Sequence, residues 1–109
     1  MKFLIDQLDG AESFLNGLEQ STKLKFAKIF RKVQIGINSA VDFKKLPGTD
    51  GIFEFRVIDN GCYYRILAFI VHYAGDEQAT IVVTNGFKKK KNKTPKPEIR
   101  KAEKIKKEY

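Results

Sequence analysis

Apolar positions in the first third of the chain recur every three or four residues, a spacing that predicts two consecutive helices. The first stripe comprises Ala11, Phe14, Leu15 and Leu18, and the second comprises Phe26, Ile29, Phe30, Val33 and Ile37. Asp9 stands three residues before Glu12, which suits a capping box, and Ser21 and Thr22 offer a second cap. Because the join between the helices is very short, we expect them to pack as an antiparallel hairpin.

The pattern around these helices is that of strands, rich in β-branched and aromatic residues. Strands are predicted at residues 2–5, 52–58, 63–73 and 80–84. Asn60 and Gly61 separate the two longest strands, and Asn-Gly favours a type I′ turn because both residues tolerate a positive φ. Residues 44–48, which contain the turn-forming pair Pro47 and Gly48, are predicted to form a loop.

The end of the chain returns to a helical period, from Thr94 or Lys96 to Tyr109. Its apolar stripe comprises Ile99, Ala102, Ile105 and Tyr109. The predicted order is β-α-α-β-β-β-α, an α+β fold in which a helical hairpin packs on a small, largely antiparallel sheet. We expect the helices to lie against one face of that sheet. Residues 1–109 are expected to form a single domain, as the length suggests.

The net charge of +8 is concentrated at one end of the chain. Residues 1–87 hold ten basic and ten acidic side chains, whereas residues 88–109 hold eleven basic and three acidic ones. Such a block is either an electrostatic footprint for a polyanion or a solubilising tail.

Several function classes are excluded by what the sequence lacks. His72 is the one histidine and Cys62 the one cysteine, so metal hydrolysis and a Ser/His/Asp triad have little to build on. We expect His72 to be structural or solvated and Cys62 to be a small buried residue. No apolar run is long enough to span a membrane, and the residues favour a reducing cytoplasm. No metal or small-molecule cofactor is predicted.

The predicted hairpin brings charged residues together. With Asn60 and Gly61 as the central turn residues, Arg56 lies directly opposite Arg65, and Glu54 shares their face. Like charges opposed on a sheet are destabilising, which suggests that they bind an anion. Alternatively, each arginine pairs with an acid such as Glu54 or Asp59, and a three-residue loop would place Arg56 opposite Tyr64 instead.

The strand that follows adds further cations. It runs out through Phe87 into four lysines, and a neighbouring position in the sheet would bring Lys88 or Lys90 to the edge of the surface that carries Arg56 and Arg65. Phe87 is a candidate platform for stacking a base, although most aromatic residues of this stretch are expected in the core.

Four motifs, in this order, resemble the HigB branch of the RelE/ParE toxin superfamily, including its phage-derived members. They are Glu54-Phe55-Arg56, Tyr64-Arg65, Gly86-Phe87-Lys88-Lys89, and Lys93-Thr94-Pro95 with Glu98, Ile99 and Ala102. The resemblance covers almost the whole chain. It implies the toxin of a type II toxin-antitoxin system, a ribosome-dependent and metal-independent endoribonuclease (an mRNA interferase). It also implies a cognate antitoxin, commonly of the helix-turn-helix type, and the ribosome and mRNA as partners.

The resemblance also implies roles for individual residues. Arg65 corresponds to an arginine that stabilises the reacting phosphate. Arg56 and Glu54 fall on strand positions that carry polar groups in other members, with Glu54 the candidate base. One or more of Lys88, Lys89 and Lys90 falls near a further catalytic cation.

Several other residues complete the predicted site. The predicted RNA-binding residues are Lys44, Lys45, Lys91, Lys93, Arg100 and Lys104. Tyr109 and His72 are candidates for proton transfer, although no motif supports either of them. Two alternative functions stay open. One is a ParE-like gyrase inhibitor, and the other is a non-catalytic RNA- or ribosome-binding module derived from a phage.

Overall fold

The computed structural model describes residues 2–37, 39–89 and 93–109. Its elements follow the predicted order with one added strand. They are β1 (Phe3–Gln7), α1 (Asp9–Asn16), α2 (Gln20–Gln34), β2 (Phe43–Lys45), β3 (Phe53–Asp59), β4 (Cys62–Val71), β5 (Ala79–Lys89) and α3 (Lys96–Glu108). The α+β class is confirmed. None of the helices in the described part of the chain is long and apolar enough to cross a membrane.

The five strands form one sheet in the order β1-β5-β4-β3-β2. β1 pairs in parallel with β5, and the other neighbouring pairs are antiparallel. The sheet is therefore largely antiparallel, as predicted, and β4 lies at its centre with β3 and β5 on either side.

The β3–β4 hairpin has the predicted register. Asn60 and Gly61 have φ values of 50° and 72°, both in the left-handed region that a type I′ turn requires. Asp59 pairs with Cys62, and Arg56 consequently lies opposite Arg65. The loop therefore has two residues rather than three, and this length is what places Arg56 opposite Arg65.

The predicted loop at residues 44–48 is partly wrong, because the chain forms the short edge strand β2 before its turn. Phe43 accounts for the difference. Its ring packs 4.4 Å from the ring of Phe55 and 5.1 Å from that of Phe53, measured between centroids. This aromatic contact holds the segment against β3, and the turn begins only at Leu46.

Helices cover both faces of the sheet, which corrects the expectation of one covered face. α1 and α2 pack on the face that carries Ile66 and Ala68 of β4, whereas α3 packs on the face that carries Leu67 and Phe69. Since alternate residues of a strand point to opposite faces, an uninterrupted apolar run in β4 needs cover on both sides. The predicted stripe of α3 provides the second cover, with Ala102 fully buried.

Both predicted helix caps are also wrong. α1 begins at Asp9, and neither α1 nor α2 has a side-chain cap hydrogen bond. The hydroxyls of Ser21 and Thr22 instead each donate to Oδ2 of Asp59 at 2.8 Å, and Lys25 Nζ donates to Oδ1 at 3.1 Å. These residues therefore tie α2 to the end of the β3–β4 hairpin.

Asp59 provides a test of this tie. The hydroxyl of Thr22, then Ser21 and Lys25, lower its pKa from 3.8 to about 2. A carboxyl group with a lowered pKa stabilises the fold above its ordinary pKa and loses that contribution as the pH falls towards 2. We expect Asp59→Asn to lower the free energy of unfolding at pH 7, and the difference from the wild type to narrow between pH 4 and pH 2.

Urea denaturation at several pH values measures this difference. Asp76→Asn, in an exposed turn, is the matched control and should behave as the wild type does at every pH. A constant difference between the wild type and Asp59→Asn from pH 7 to pH 2 would contradict the assigned role.

Candidate active site

The charged candidate residues lie on three neighbouring strands, on the face of the sheet that α3 covers. Arg56 of β3 lies opposite Arg65 of β4, and Lys89 of β5 lies opposite Tyr63 of β4. Glu54 lies two residues before Arg56 and therefore shares this face. Four charged side chains from three strands thus lie on one face of the sheet.

A β-bulge decides which lysine of β5 joins this group. The pairing of β5 with β4 shifts by one residue between Leu67 and Ala68, which leaves Thr84 as the extra residue. The hydroxyl of the buried Thr84 donates to the carbonyl of Leu67 at 3.2 Å. Because the bulge reverses the alternation of every later residue, Lys89 rather than Lys88 faces the arginines.

The carboxylate of Glu54 is at the centre of the group. Its Oε1 lies 3.4 Å from Nε of Arg56 and 3.7 Å from Nε of Arg65. Its Oε2 accepts a hydrogen bond of 2.5 Å from the hydroxyl of Thr94. Glu54 is 5% exposed, so this is a desolvated ion pair shared by two guanidinium groups. Of the alternatives for the arginines, pairing with Glu54 is the one observed, whereas Asp59 contacts α2.

The two arginines differ in their access to solvent. Arg65 is 1% exposed, and its Nη1 donates to the carbonyl of Tyr64 at 3.0 Å. Burial lowers the pKa of the Arg65 guanidinium from its ordinary value, and Glu54 opposes that shift. A guanidinium nevertheless stays charged in proteins. Arg56 is 22% exposed, so it presents the accessible charge while Arg65 lies behind it.

Lys89 contributes the amine of this group, and the pKa of that amine is strongly lowered. Its Nζ is buried, has no hydrogen-bond partner among residues 2–37, 39–89 and 93–109, and lies 5.8 Å from the ring centre of Phe87. Burial lowers the pKa of Lys89 to about 8, helped by the charges of Arg65 and Arg56 and opposed by Glu54. A buried amine near neutrality beside charged partners is typical of a functional group.

An open cleft of about 430 Å³ adjoins the arginines. It is lined by Ala40, Val41, Asp42, Lys44, Arg56, Ile58 and Arg65. Lys44 lies opposite Glu54 in the sheet and so faces the same side. Val41 and Ile58 are 73% and 61% exposed, so two apolar side chains stand beside the cations.

Other predicted site residues lie elsewhere or outside the described residues. Lys88 points to the opposite face, where its Nζ lies 5.7 Å from the ring centre of the core residue Tyr64. Lys45 is opposite Phe53 and also faces away from the arginines. The prediction that Lys88 joins the catalytic group is therefore wrong in placement. Lys90 and Lys91 lie outside the described residues.

The predicted RNA-binding residues on and before α3 are exposed. Arg100 and Lys104 are one helical turn apart and line an open surface pocket together with Lys107, Glu103 and Asp50. Lys93 is exposed just before the helix. These positions form a basic surface that is separate from the buried group around Glu54.

The two candidates for proton transfer do not join the site. His72 is exposed directly after β4. The hydroxyl of Tyr109 lies 2.7 Å from that of Tyr73 and donates to Oδ2 of Asp6 at 3.3 Å, beyond the far end of β4 from Arg65. The bond to Tyr73 raises the pKa of Tyr109 above its ordinary value. No cluster of three or more metal-ligating side chains occurs among the residues that the structure describes.

Thr94 is the site residue that sequence reasoning missed. It belongs to the Lys93-Thr94-Pro95 motif, but the motif by itself predicts no role for its hydroxyl. Its contact with Glu54 joins residues 40 positions apart, so no local pattern reveals it.

The fold is RelE-like. The structure is similar to that of a double arginine mutant of E. coli toxin RelE in the free state. The TM-score is 0.68 and the identity 17%, over 96% of this chain and 98% of that chain. A likeness at this identity shows the fold.

A family model identifies the chain more closely. Residues 13–107 match the model of the phage-derived protein Gp49-like family (DUF891). The chain belongs to this family, a RelE/HigB-like toxin family, and the predicted membership of the RelE superfamily is confirmed. No curated protein matches the chain.

The perturbed pKa of Lys89 implies a cost in stability that can be measured. An amine whose pKa is lower in the folded state destabilises the fold while it is protonated in both states. We expect Lys89→Met to raise the free energy of unfolding at pH 7 by about 1 kcal/mol, a value that allows for screening by solvent. The gain should shrink as the pH rises from 8 towards 10.5, where the unfolded amine also becomes neutral.

Urea denaturation at pH 7 and pH 10 measures this gain. Lys88→Met is the control, because the Lys88 side chain lies on the opposite face of the sheet and is exposed. This variant should show no gain in stability. A Lys89→Met variant that is less stable than the wild type at pH 7 would contradict this assignment.

Proposed function

We propose that this chain is a ribosome-dependent endoribonuclease that cleaves mRNA during translation and is neutralised by a cognate antitoxin. The observation that carries the proposal is the carboxylate of Glu54 shared by Arg56 and Arg65 beside an open cleft, with Lys89 on the same face of the sheet. Such a site offers fixed positive charge, which is what a reacting phosphate needs.

Metal-independent RNA cleavage makes definite demands on the site. The 2′-oxygen attacks the adjacent phosphorus, the bond from phosphorus to the 5′-oxygen breaks, and the leaving oxygen gains a proton. Negative charge accumulates on the phosphorane between these events. We assign Arg56 to contact that phosphate from the cleft. Arg65 also lines the cleft, but its side chain is 1% exposed, so it acts mainly through its charge, which burial leaves little screened.

Lys89 fits the role of the acid. With a pKa of about 8 it is mostly an ammonium ion at pH 7, yet it releases a proton more readily than an ordinary lysine. We propose that its flexible stem brings Nζ from its buried position to a bound phosphate. We propose that it protonates the 5′-oxygen while the 2′-hydroxyl proton passes to water.

Glu54 fits poorly the role of base that was predicted for it. Both of its oxygens are engaged, one by the two arginines and the other by Thr94. We therefore propose that Glu54 orients the arginines, and that the ribosome aligns the substrate for attack.

The exposed cations extend the site. We propose that Lys44, Lys93, Arg100 and Lys104 hold RNA phosphates without sequence preference, so that binding weakens steeply with salt. An antitoxin that covers the cleft would match its exposed Val41 and Ile58 with apolar groups and its cations with acidic ones. Action in the cytoplasm and an antitoxin of the helix-turn-helix type belong to the same proposal.

Induction of the protein in cells tests the reaction class. We expect new 5′ ends within messages that disappear when translation is blocked. Arg56→Ala should reduce cleavage at least 100-fold, since it removes preorganised charge from the phosphate. Lys88→Ala, on the opposite face, is the matched control and should cleave as the wild type does.

Two outcomes would contradict the proposal. Inhibition of gyrase supercoiling without new 5′ ends would indicate a ParE-like function. Binding to ribosomes without new ends or gyrase inhibition would indicate a non-catalytic module.

The pH dependence tests Lys89 separately. Since kcat/KM reports the free enzyme, it should fall as the pH rises through about 8, where Lys89 loses its proton. Lys89→Arg keeps the positive charge but does not titrate in this range, so its lower activity should not fall between pH 7 and pH 9. The measurement is single-turnover cleavage of mRNA on stalled ribosomes, and the same decline in both proteins would exclude Lys89 as the acid.

A further inference from the structure

Thr94 connects the start of α3 to the charged group. It precedes Pro95, the residue that caps α3, and its hydroxyl donates to Oε2 of Glu54 at 2.5 Å. Glu54 is desolvated, so this hydrogen bond to a charged acceptor is a strong one.

The bond determines how Glu54 can meet the arginines. While Oε2 accepts from Thr94, Oε1 lies 3.4 Å from Nε of Arg56 and 3.7 Å from Nε of Arg65. A carboxylate with both oxygens available favours a bidentate pair with one guanidinium. A bidentate pair would turn the guanidinium of Arg56 towards Glu54 and away from a phosphate in the cleft.

From this geometry we infer that Thr94 is a positioning residue of the phosphate site. Its hydroxyl fixes the orientation of the Glu54 carboxylate, which keeps Arg56 directed at the cleft. The inference rests on the proposed function, because it assumes that a phosphate binds there. Thr94 itself touches neither the substrate nor the reacting atoms.

Attachment of α3 does not explain the contact. Asn85 Nδ2 donates to Oε1 of Glu98 at 3.1 Å, which anchors the first turn of the helix to β5. Lys106 Nζ donates to the carbonyl of Asp50 at 2.8 Å, and Ala102 is buried in the core beneath the helix. The helix is thus held along its length without the hydroxyl of Thr94.

Binding of inorganic phosphate to the purified chain tests the inference without a ribosome. The probes are the side-chain Nε–Hε resonances of Arg56 and Arg65, followed by NMR during a phosphate titration. We expect Thr94→Val to bind phosphate about tenfold more weakly, the effect of losing one hydrogen bond to a charged group. Thr94→Ser restores the hydroxyl and should return the affinity to near the wild-type value.

The outcomes separate this inference from the proposed function. Unchanged phosphate affinity in Thr94→Val would overturn the positioning role and leave the arginine site intact. Displaced amide resonances of Ala102 and Ile105 in Thr94→Val would overturn it in favour of a structural role in holding α3. A wild-type chain whose arginine resonances ignore phosphate would overturn the phosphate site and the role of Thr94 together.

Discussion

The charged face of this protein depends on the sharing of one carboxylate between two arginines that the sheet places directly opposite each other. Arg56 and Arg65 would repel each other at this spacing, and Arg65 is almost entirely removed from water. The carboxylate of Glu54 lies within 3.7 Å of both Nε atoms and offsets that repulsion. Because it faces two cations, the group keeps an excess of positive charge, and that excess is available to an anion.

This arrangement follows from a sheet that is apolar on both faces over part of its length and charged over the rest. On the α3 face of β4, Leu67 and Phe69 are buried beneath the helix, whereas Arg65 lies one step towards the β3–β4 turn. α3 therefore covers only the apolar part of this face. Thr94, just before the helix, donates a hydrogen bond to Glu54. The same strand thus contributes both to the core and to the site.

The sequence predicted the arginine pair because a local signal sets it. Asn60 and Gly61 determine the turn, the turn determines the register, and the register places Arg56 opposite Arg65. The choice among the lysines depends on the bulge at Thr84, which has no comparable local signature. Simple alternation from Val82, which faces α3, would have pointed Lys88 at the arginines instead of Lys89.

Similar physical reasons explain the other differences from the sequence-based predictions. Contacts between distant residues, such as those of Thr94 with Glu54 and of Ser21 with Asp59, use hydroxyls whose local sequence suggests helix starts. β2 forms because Phe43 stacks on aromatic rings of β3, a contact that no three-residue pattern indicates. Hydrophobic period and turn chemistry therefore predict the elements, whereas polar tertiary contacts have to be observed.

The location of a charge matters more than its number in this chain. Lys88 and Lys89 are adjacent and chemically identical, yet Lys88 is exposed and Lys89 has a buried Nζ with a pKa of about 8. Exposed cations such as Arg100 and Lys104 attract phosphates only within about 8 Å at physiological salt. Buried cations are screened far less and keep their effect. The exposed cations therefore offer an anion contacts that salt weakens, whereas the few desolvated cations keep their field on the charged face of the sheet.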